Sequence, residues 1–191
     1  MSKTRDIQIK NTITTIGLVI FLILGIKYAV AHRLDLLMDI ALSIIILAIF
    51  HKFYNRLHQD YKSYFFVIFA WILHDLFLYS HGLFGLKFER YMHFTAGFAI
   101  AIFADRLFYE KLSKAKRFLL LVIFALGIGV IGEFVEYFGY TTLGLGEGLF
   151  RYGIGDEGEW GNAILDLVSN VTGALVMAVL MLFRKNNKLK K

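Results

Sequence analysis

Residues 118–138 read FLLLVIFALGIGVIGEFVEYF, an apolar run of 21 residues whose only charged side chains are Glu133 and Glu136. At 1.5 Å per residue such a helix is about 30 Å long, which matches the hydrocarbon core of a bilayer. A carboxylate placed inside a membrane helix costs about 3 kcal/mol, so it marks a functional position by default. The stretch therefore predicts a membrane-spanning helix that carries functional carboxylates.

The rest of the chain supports the same fold class. Hydrophobic residues make up 58% of the 191 residues and the mean hydropathy is +0.61, whereas soluble domains are about 45–50% apolar. Six stretches approach the length of a membrane span: 13–31, 34–50, 64–79, 91–108, 118–138 and 163–183. We expect an all-α, polytopic membrane protein in which residues 1–191 form a single transmembrane domain, a six-helix bundle.

The distribution of basic residues predicts the orientation of this bundle. If all six stretches cross, 16 of the 21 Lys and Arg residues lie on the side of the two termini and five on the other side. Cytoplasmic loops carry such an excess, so we expect a multi-pass protein of the inner membrane with both termini in the cytoplasm. The expected partners are membrane lipids and not nucleic acid, since the basic residues flank apolar spans. The oligomeric state does not follow from these patterns.

In this topology four spans bring their polar residues to one level, the outer one. These residues are His74, Asp75, Glu89, Arg90, His93, Glu133, Glu136, Asp166 and Asn170. On the fourth, fifth and sixth helices they are spaced three or four apart, so they project from one side of each helix. We expect these helix faces to enclose an outward-facing pocket of acidic and histidine side chains.

The residue types in this pocket are those that bind a divalent metal ion, whose identity the residues leave open. The chain has no cysteine, so thiolate sites are excluded and ligands must come from carboxylates, imidazoles or backbone oxygens. The candidate ligands are Glu133, Glu136, Asp156, Asp166, His93 and His74. Candidates for acid and base catalysis are His93, Glu136 and Glu133. An alternative is that the two glutamates form a structural polar seam with Arg90 and His93.

A glycine-rich segment separates the fifth span from the sixth. Eight of the 23 residues from 139 to 161 are glycine, and apolar periodicity is lost there. We expect an outer loop that folds back as a lid and brings Asp156 over Glu136 and His93. Its backbone N–H groups at Gly155, together with Arg90 and Asn170, are candidates for binding a substrate phosphate.

Three motifs resemble a known membrane family. Residues 89–98 read ERYMHFTAGF and resemble the acid-Arg-x-x-His-Phe-x-x-Gly-Phe segment of the YjdF-like family of six-helix inner-membrane proteins. Residues 133–137 resemble the next motif of that family, and residues 155–174 resemble the last. The spacing from Asp166 to Asn170 is also similar to the more distant VanZ-like proteins. The resemblance implies a fold and a set of site residues, including His74, but no particular reaction.

Three functions follow as hypotheses. The first is a metal-assisted enzyme that acts on a lipid or polyprenyl phosphate at the outer leaflet. The second is a transporter or channel for an ion, a proton or a small solute. The third is a noncatalytic membrane scaffold whose polar residues only fix helix packing. A transport path needs polar groups along the whole span, and the inner halves of the last three spans have few, which favours a one-sided site.

Overall fold

The computed structural model describes residues 3–54, 60–77, 87–108, 112–143 and 158–183. All regular secondary structure in these ranges is helical. The six helices are α1 (Lys3–Val30), α2 (Leu34–Phe53), α3 (Tyr61–Phe77), α4 (Phe88–Phe108), α5 (Lys114–Leu143) and α6 (Gly158–Phe183). The all-helical prediction is confirmed to this extent.

Four of the helices are long and apolar enough to cross a membrane: Thr4–Val30, Leu36–Phe53, Lys114–Phe138 and Trp160–Phe183. Helix α3 has 17 residues and is therefore only about 25 Å long. Helix α4 carries Glu89, Arg90, Asp105 and Arg106 within its 21 residues. The core of the glycine-rich loop, residues 144–157, lies outside the described residues, so the predicted lid stays a prediction.

Helices α1 and α2 are joined by a tight turn that ends α1. The Arg33 N–H donates to the Tyr28 carbonyl at 3.0 Å, and the His32 N–H donates to the Ala29 carbonyl at 3.1 Å. This pair of bonds is the Schellman arrangement, which requires a left-handed residue at the end of the helix. His32 takes that conformation with φ of 54°, where glycine would be less strained.

The first half of the bundle, α1 to α3, packs around one apolar core. Its buried members come from all three helices: Phe21, Leu24, Tyr28, Leu36, Ile40, Leu47, Tyr54, Tyr64 and Ile68. The helices alternate in direction, because Thr14 of α1 bonds both His51 near the end of α2 (2.8 Å) and Tyr64 near the start of α3 (2.7 Å). Helix α3 then packs against α4 and connects the two halves.

In the second half, α4 and α6 run parallel and approach each other very closely. A Cβ atom added at Gly97 would lie 1.9 Å from the carbonyl oxygen of Asn170, and one added at Gly173 would lie 2.0 Å from that of Phe94. Only glycine fits at such backbone contacts, and small residues are how membrane helices pack closely. Below this contact Ala101, Ala104, Leu121, Ala125, Ala174 and Ala178 form a tightly packed apolar layer.

Charged groups also cluster at the end of the bundle where α1 begins. Arg117 of α5 forms an ion pair with the buried Asp105 of α4, and Arg106 forms one with Asp60 ahead of α3. Here the Tyr54 hydroxyl donates to Asp6 at 2.6 Å, and burial together with this bond raises the pKa of Tyr54 well above its ordinary value. The polar residues of the candidate site lie at the opposite end.

Candidate functional site

A buried hydrogen-bonded network joins α4 to α6 at the site end of the bundle. The Arg90 guanidinium forms an ion pair with Asp166 and donates to the Asn162 side-chain oxygen at 2.7 Å. The Asn162 amide in turn donates to the second Asp166 oxygen at 3.0 Å. Asp166 is fully buried, at 0% exposure, so its charge depends on these partners. The close approach of the helices at Gly97 sets this geometry.

His93 lies one turn further along α4 and is held from two sides. Its Nε2 is 3.3 Å from an Asp166 oxygen, and its Nδ1 is 3.1 Å from the side-chain nitrogen of Asn170. A side-chain amide has both a donor and an acceptor, so by rotating it can serve either ring tautomer. If the Asn170 amide oxygen accepts a hydrogen bond from an Nδ1–H group of His93, the Nε2 atom of His93 has a free lone pair, as a metal ligand requires.

Glu89, His93 and Asp166 form a compact group of ligand types. One ligand atom from each lies within 4.8 Å of the others. Two atoms bound to one ion at about 2.1 Å are at most about 4.2 Å apart, so the three side chains would need only small movements to bind one ion. One imidazole and two carboxylates suit Mn²⁺, Fe²⁺ or Zn²⁺ better than Ca²⁺ or Mg²⁺, which prefer oxygen ligands alone.

The two glutamates of α5 face this group. Glu133 interacts electrostatically with Asp166, Glu89 and Arg90, and Glu136 interacts with Glu133, Asp166 and Glu89. Glu133 is 9% exposed, and its Oε2 atom has no hydrogen-bond partner among the described residues. Burying an acceptor without a hydrogen-bond partner costs free energy. Such an atom is expected where the oxygen contacts a bound ligand instead.

A second polar group lies beside the first, on α1 to α3. Asp75 of α3 accepts hydrogen bonds from Ser43 (2.6 Å) and contacts His74 (2.9 Å). His74 interacts electrostatically with His93, and Asp39 of α2 interacts with Glu136. The site end of the bundle therefore has polar side chains from both halves of the molecule.

The structure places the predicted residues as follows. His93, Asp166 and Asn170 meet directly, while Glu133, Glu136 and His74 lie within electrostatic range of them. Arg90 binds Asp166 and Asn162 and also interacts electrostatically with Glu133, so the alternative polar seam stays a hypothesis. Gly155 and Asp156 lie outside the described residues.

Sequence reasoning missed three features of the site. Glu89 belongs to the predicted pocket but not to the predicted metal ligands, although its spacing of four residues from His93 indicates a shared ligand face. The same spacing links Asn162 to Asp166. Asp39 and Ser43 of the second span also lie at the site, where Ser43 bonds Asp75 and Asp39 interacts with Glu136.

Comparison with known proteins bears on the class of the protein. A family model described as a predicted membrane protein, DUF2238, matches residues 9–187. The chain belongs to that family. No curated protein and no solved structure matches the chain.

Membership of the DUF2238 family supports the membrane localisation predicted from the apolar spans. The matched range includes α1 from its seventh residue, the whole of α2 to α6 and every residue of the site. The narrower YjdF-like and VanZ-like assignments remain a resemblance carried by the three motifs.

Proposed function

We propose that the protein is a six-span inner-membrane enzyme with cytoplasmic termini. In this proposal a divalent metal ion at the Glu89, His93 and Asp166 group assists a reaction at the phosphate of a lipid or polyprenyl phosphate. The single observation that carries the proposal is the convergence of these three ligand types within 4.8 Å at the end of the bundle away from the termini. The excess of basic residues on the terminus side assigns the site to the outer leaflet.

The charge of the site supports a cation as its first ligand. Within the described part of the chain, the carboxyl groups of Glu89, Glu133, Glu136 and Asp166 interact with one another and with the Arg90 guanidinium. Arg90 also binds Asp166 and Asn162, so a phosphate at this guanidinium would share it with them, and its role as a phosphate ligand stays a prediction. A phosphate would repel the carboxylates until a divalent ion compensates their charge.

The helix ends support a phosphate as the second ligand. Helices α4 and α6 run parallel and both begin at the site end, with their N-termini at Phe88 and Gly158. Free N–H groups and the dipole at a helix N-terminus favour an anion. A metal ion beside two such termini would bind and polarise a phosphate group.

Each residue of the group has a defined task in this proposal. Glu89, His93 and Asp166 would hold the ion, and Arg90 with Asn162 would hold Asp166 in place. The ion would supply Lewis-acid stabilisation of the phosphate charge. Glu133 and Glu136 would provide carboxyl groups for proton transfer, with the free Oε2 of Glu133 directed to a substrate or water molecule.

Packing in the inner half of the bundle supports an enzyme over a transporter. The six residues of the apolar layer below the Gly97 contact are each at most 1% exposed, and all are Ala or Leu. A hydrated path for an ion through α4, α5 and α6 would need polar groups at this level. The apolar layer therefore favours a one-sided site.

Phosphate release tests the proposal. The purified protein is incubated with phosphatidic acid or a polyprenyl phosphate in mixed micelles, with Mn²⁺ or with EDTA, and inorganic phosphate is measured. We expect release that depends on Mn²⁺, falls at least 100-fold in His93→Gln and is unchanged in His32→Gln, which alters an exposed histidine. Rates that are equal in all three proteins would contradict the enzyme function and favour the scaffold hypothesis.

A further inference from the structure

Beside the ligand group, α3 carries a histidine and a carboxylate arranged as a proton-accepting pair. The Nδ1 atom of His74 lies 2.9 Å from Oδ1 of Asp75, and Asp75 is 4% exposed. An ionised carboxylate only accepts hydrogen bonds, so the His74 ring must carry a proton on Nδ1. In the neutral ring Nε2 then has the free lone pair.

Neighbouring side chains fix the orientation of the Asp75 carboxylate. The indole N–H of Trp71 can only donate, and it donates to the Ser43 hydroxyl oxygen. The single Ser43 proton therefore points away from Trp71, and the Asp75 carboxylate lies 2.6 Å from Ser43 Oγ. The Tyr28 hydroxyl also donates to the Asp75 backbone carbonyl at 3.1 Å. The Ser43 proton therefore has two acceptors on the side away from Trp71, the Asp75 carboxylate and the Asp39 backbone carbonyl at 2.9 Å, and the carboxylate is the closer of the two.

The position of His74 distinguishes it from a metal ligand. Its ring is close enough to His93 for electrostatic interaction, but it does not belong to the compact group that Glu89, His93 and Asp166 form. No residue in the described ranges bonds its Nε2 atom, and its side chain is 25% exposed. An unbonded acceptor just outside a ligand group is placed to take a proton from whatever binds there.

We propose that His74 is the proton acceptor of the site and that Asp75 and Ser43 are positioning residues. The O–H proton of a water or hydroxyl group at the site would move to the Nε2 lone pair. The electron pair of the broken O–H bond would stay on oxygen, which would form a bond to phosphorus while the bond from phosphorus to the lipid oxygen breaks. The leaving lipid oxygen would take the proton back from the imidazolium. The imidazolium that forms is stabilised by the Asp75 carboxylate. The identity of the group that gives its proton to His74 rests on the proposed function, whereas the tautomer of the His74 ring does not.

The tautomer is measured by NMR on protein labelled with ¹⁵N-histidine in detergent micelles at pH 8. Two-bond ¹H–¹⁵N correlations show which ring nitrogen carries the proton, and loss of signal in His74→Gln assigns the resonance. We expect the Nδ1–H tautomer for His74. In Asp75→Asn the Ser43 hydroxyl bonds the amide oxygen, the amide NH₂ faces Nδ1, and the ring proton moves to Nε2. Ser43→Ala retains the carboxylate and should retain the tautomer. An Nε2–H tautomer in the unaltered protein would overturn the proposal.

Mn²⁺ binding separates a proton acceptor from a ligand. Free Mn²⁺ is titrated by electron paramagnetic resonance with the unaltered protein, His74→Gln and His93→Gln. We expect the affinity to change less than twofold in His74→Gln and to fall at least tenfold in His93→Gln. A tenfold loss in His74→Gln would make His74 a ligand and refute the proposal. If the unaltered protein bound no Mn²⁺, the proposed function would fail, and the tautomer would still decide the role of His74.

Discussion

Replacing Gly97 with alanine tests whether the close approach of α4 and α6 builds the site. The added Cβ would lie 1.9 Å from the Asn170 carbonyl oxygen, and it needs at least 3.0 Å, so the helices must separate locally by at least 1.1 Å. The bond of 3.1 Å between Asn170 and His93 would then exceed hydrogen-bond range. Overpacking of this kind costs about 1–3 kcal/mol. We expect Gly97→Ala to lower the free energy of unfolding by that amount and to weaken Mn²⁺ binding at least tenfold.

The matched control is Gly127→Ala on α5, where an added Cβ meets nothing within 4 Å. Alanine has a higher helix propensity than glycine, so this variant should be as stable as the parent or up to about 1 kcal/mol more stable. Unfolding of both variants is followed by circular dichroism during titration with sodium dodecyl sulfate, and Mn²⁺ affinity is measured on the same samples. If Gly97→Ala behaves like Gly127→Ala in both assays, the backbone contact does not organise the site.

Four further predictions concern other parts of the molecule. Asp105→Asn should lower the free energy of unfolding by about 3–5 kcal/mol in the same titration, because it leaves the guanidinium partner of a buried ion pair uncompensated. His32→Gly should raise it by about 0.4–1 kcal/mol by relieving the left-handed conformation. Single cysteines should be labelled from outside the cell at Glu147 and not at Lys188; the opposite pattern would reverse the topology. Asp156→Asn should weaken Mn²⁺ binding while changing stability by less than about 1 kcal/mol, and unchanged binding would remove the lid from the site.

The helices could be predicted because the bilayer sets one length for an apolar helix. Each predicted span overlaps one of the six helices, and most of these helices begin earlier than the apolar runs because polar first turns extend them. Residues 78 and 79 of the third predicted span lie outside the described residues. Alternating helix directions followed from the condition that all six stretches cross the membrane, and they predicted that polar residues of the third to sixth spans share one level. Helices α3 and α4 are not among the four helices that are long and apolar enough to cross a membrane, because α3 is short and α4 carries charged residues near both ends.

The pairing within the site could not be predicted from spacing alone. Five carboxylates at one level, Asp75 among them, offered partners of equal chemistry to Arg90. The close backbone contacts at Gly97 and at Gly173 bring α6 against α4, where Asp166 meets Arg90. The small residues of both helices indicate that each can pack closely against another helix. The sequence does not show which helices pack together, because that depends on the whole bundle. The sequence also did not predict that α1 to α3 contribute to the site, because Ser43 and Asp75 come into contact only when those helices pack.

The central claim is that Glu89, His93 and Asp166 bind one divalent ion, and the number of Mn²⁺ ions bound per chain tests it most directly. Electron paramagnetic resonance of the purified protein, depleted of metal with EDTA, measures free Mn²⁺ during the titration. We predict one bound ion per chain, with affinity at least tenfold lower in Glu89→Gln and in His93→Gln and unchanged in Asp60→Asn, which alters a carboxylate at the opposite end. Binding that Asp60→Asn weakens as much as Glu89→Gln does, or no binding at all, would contradict the claim.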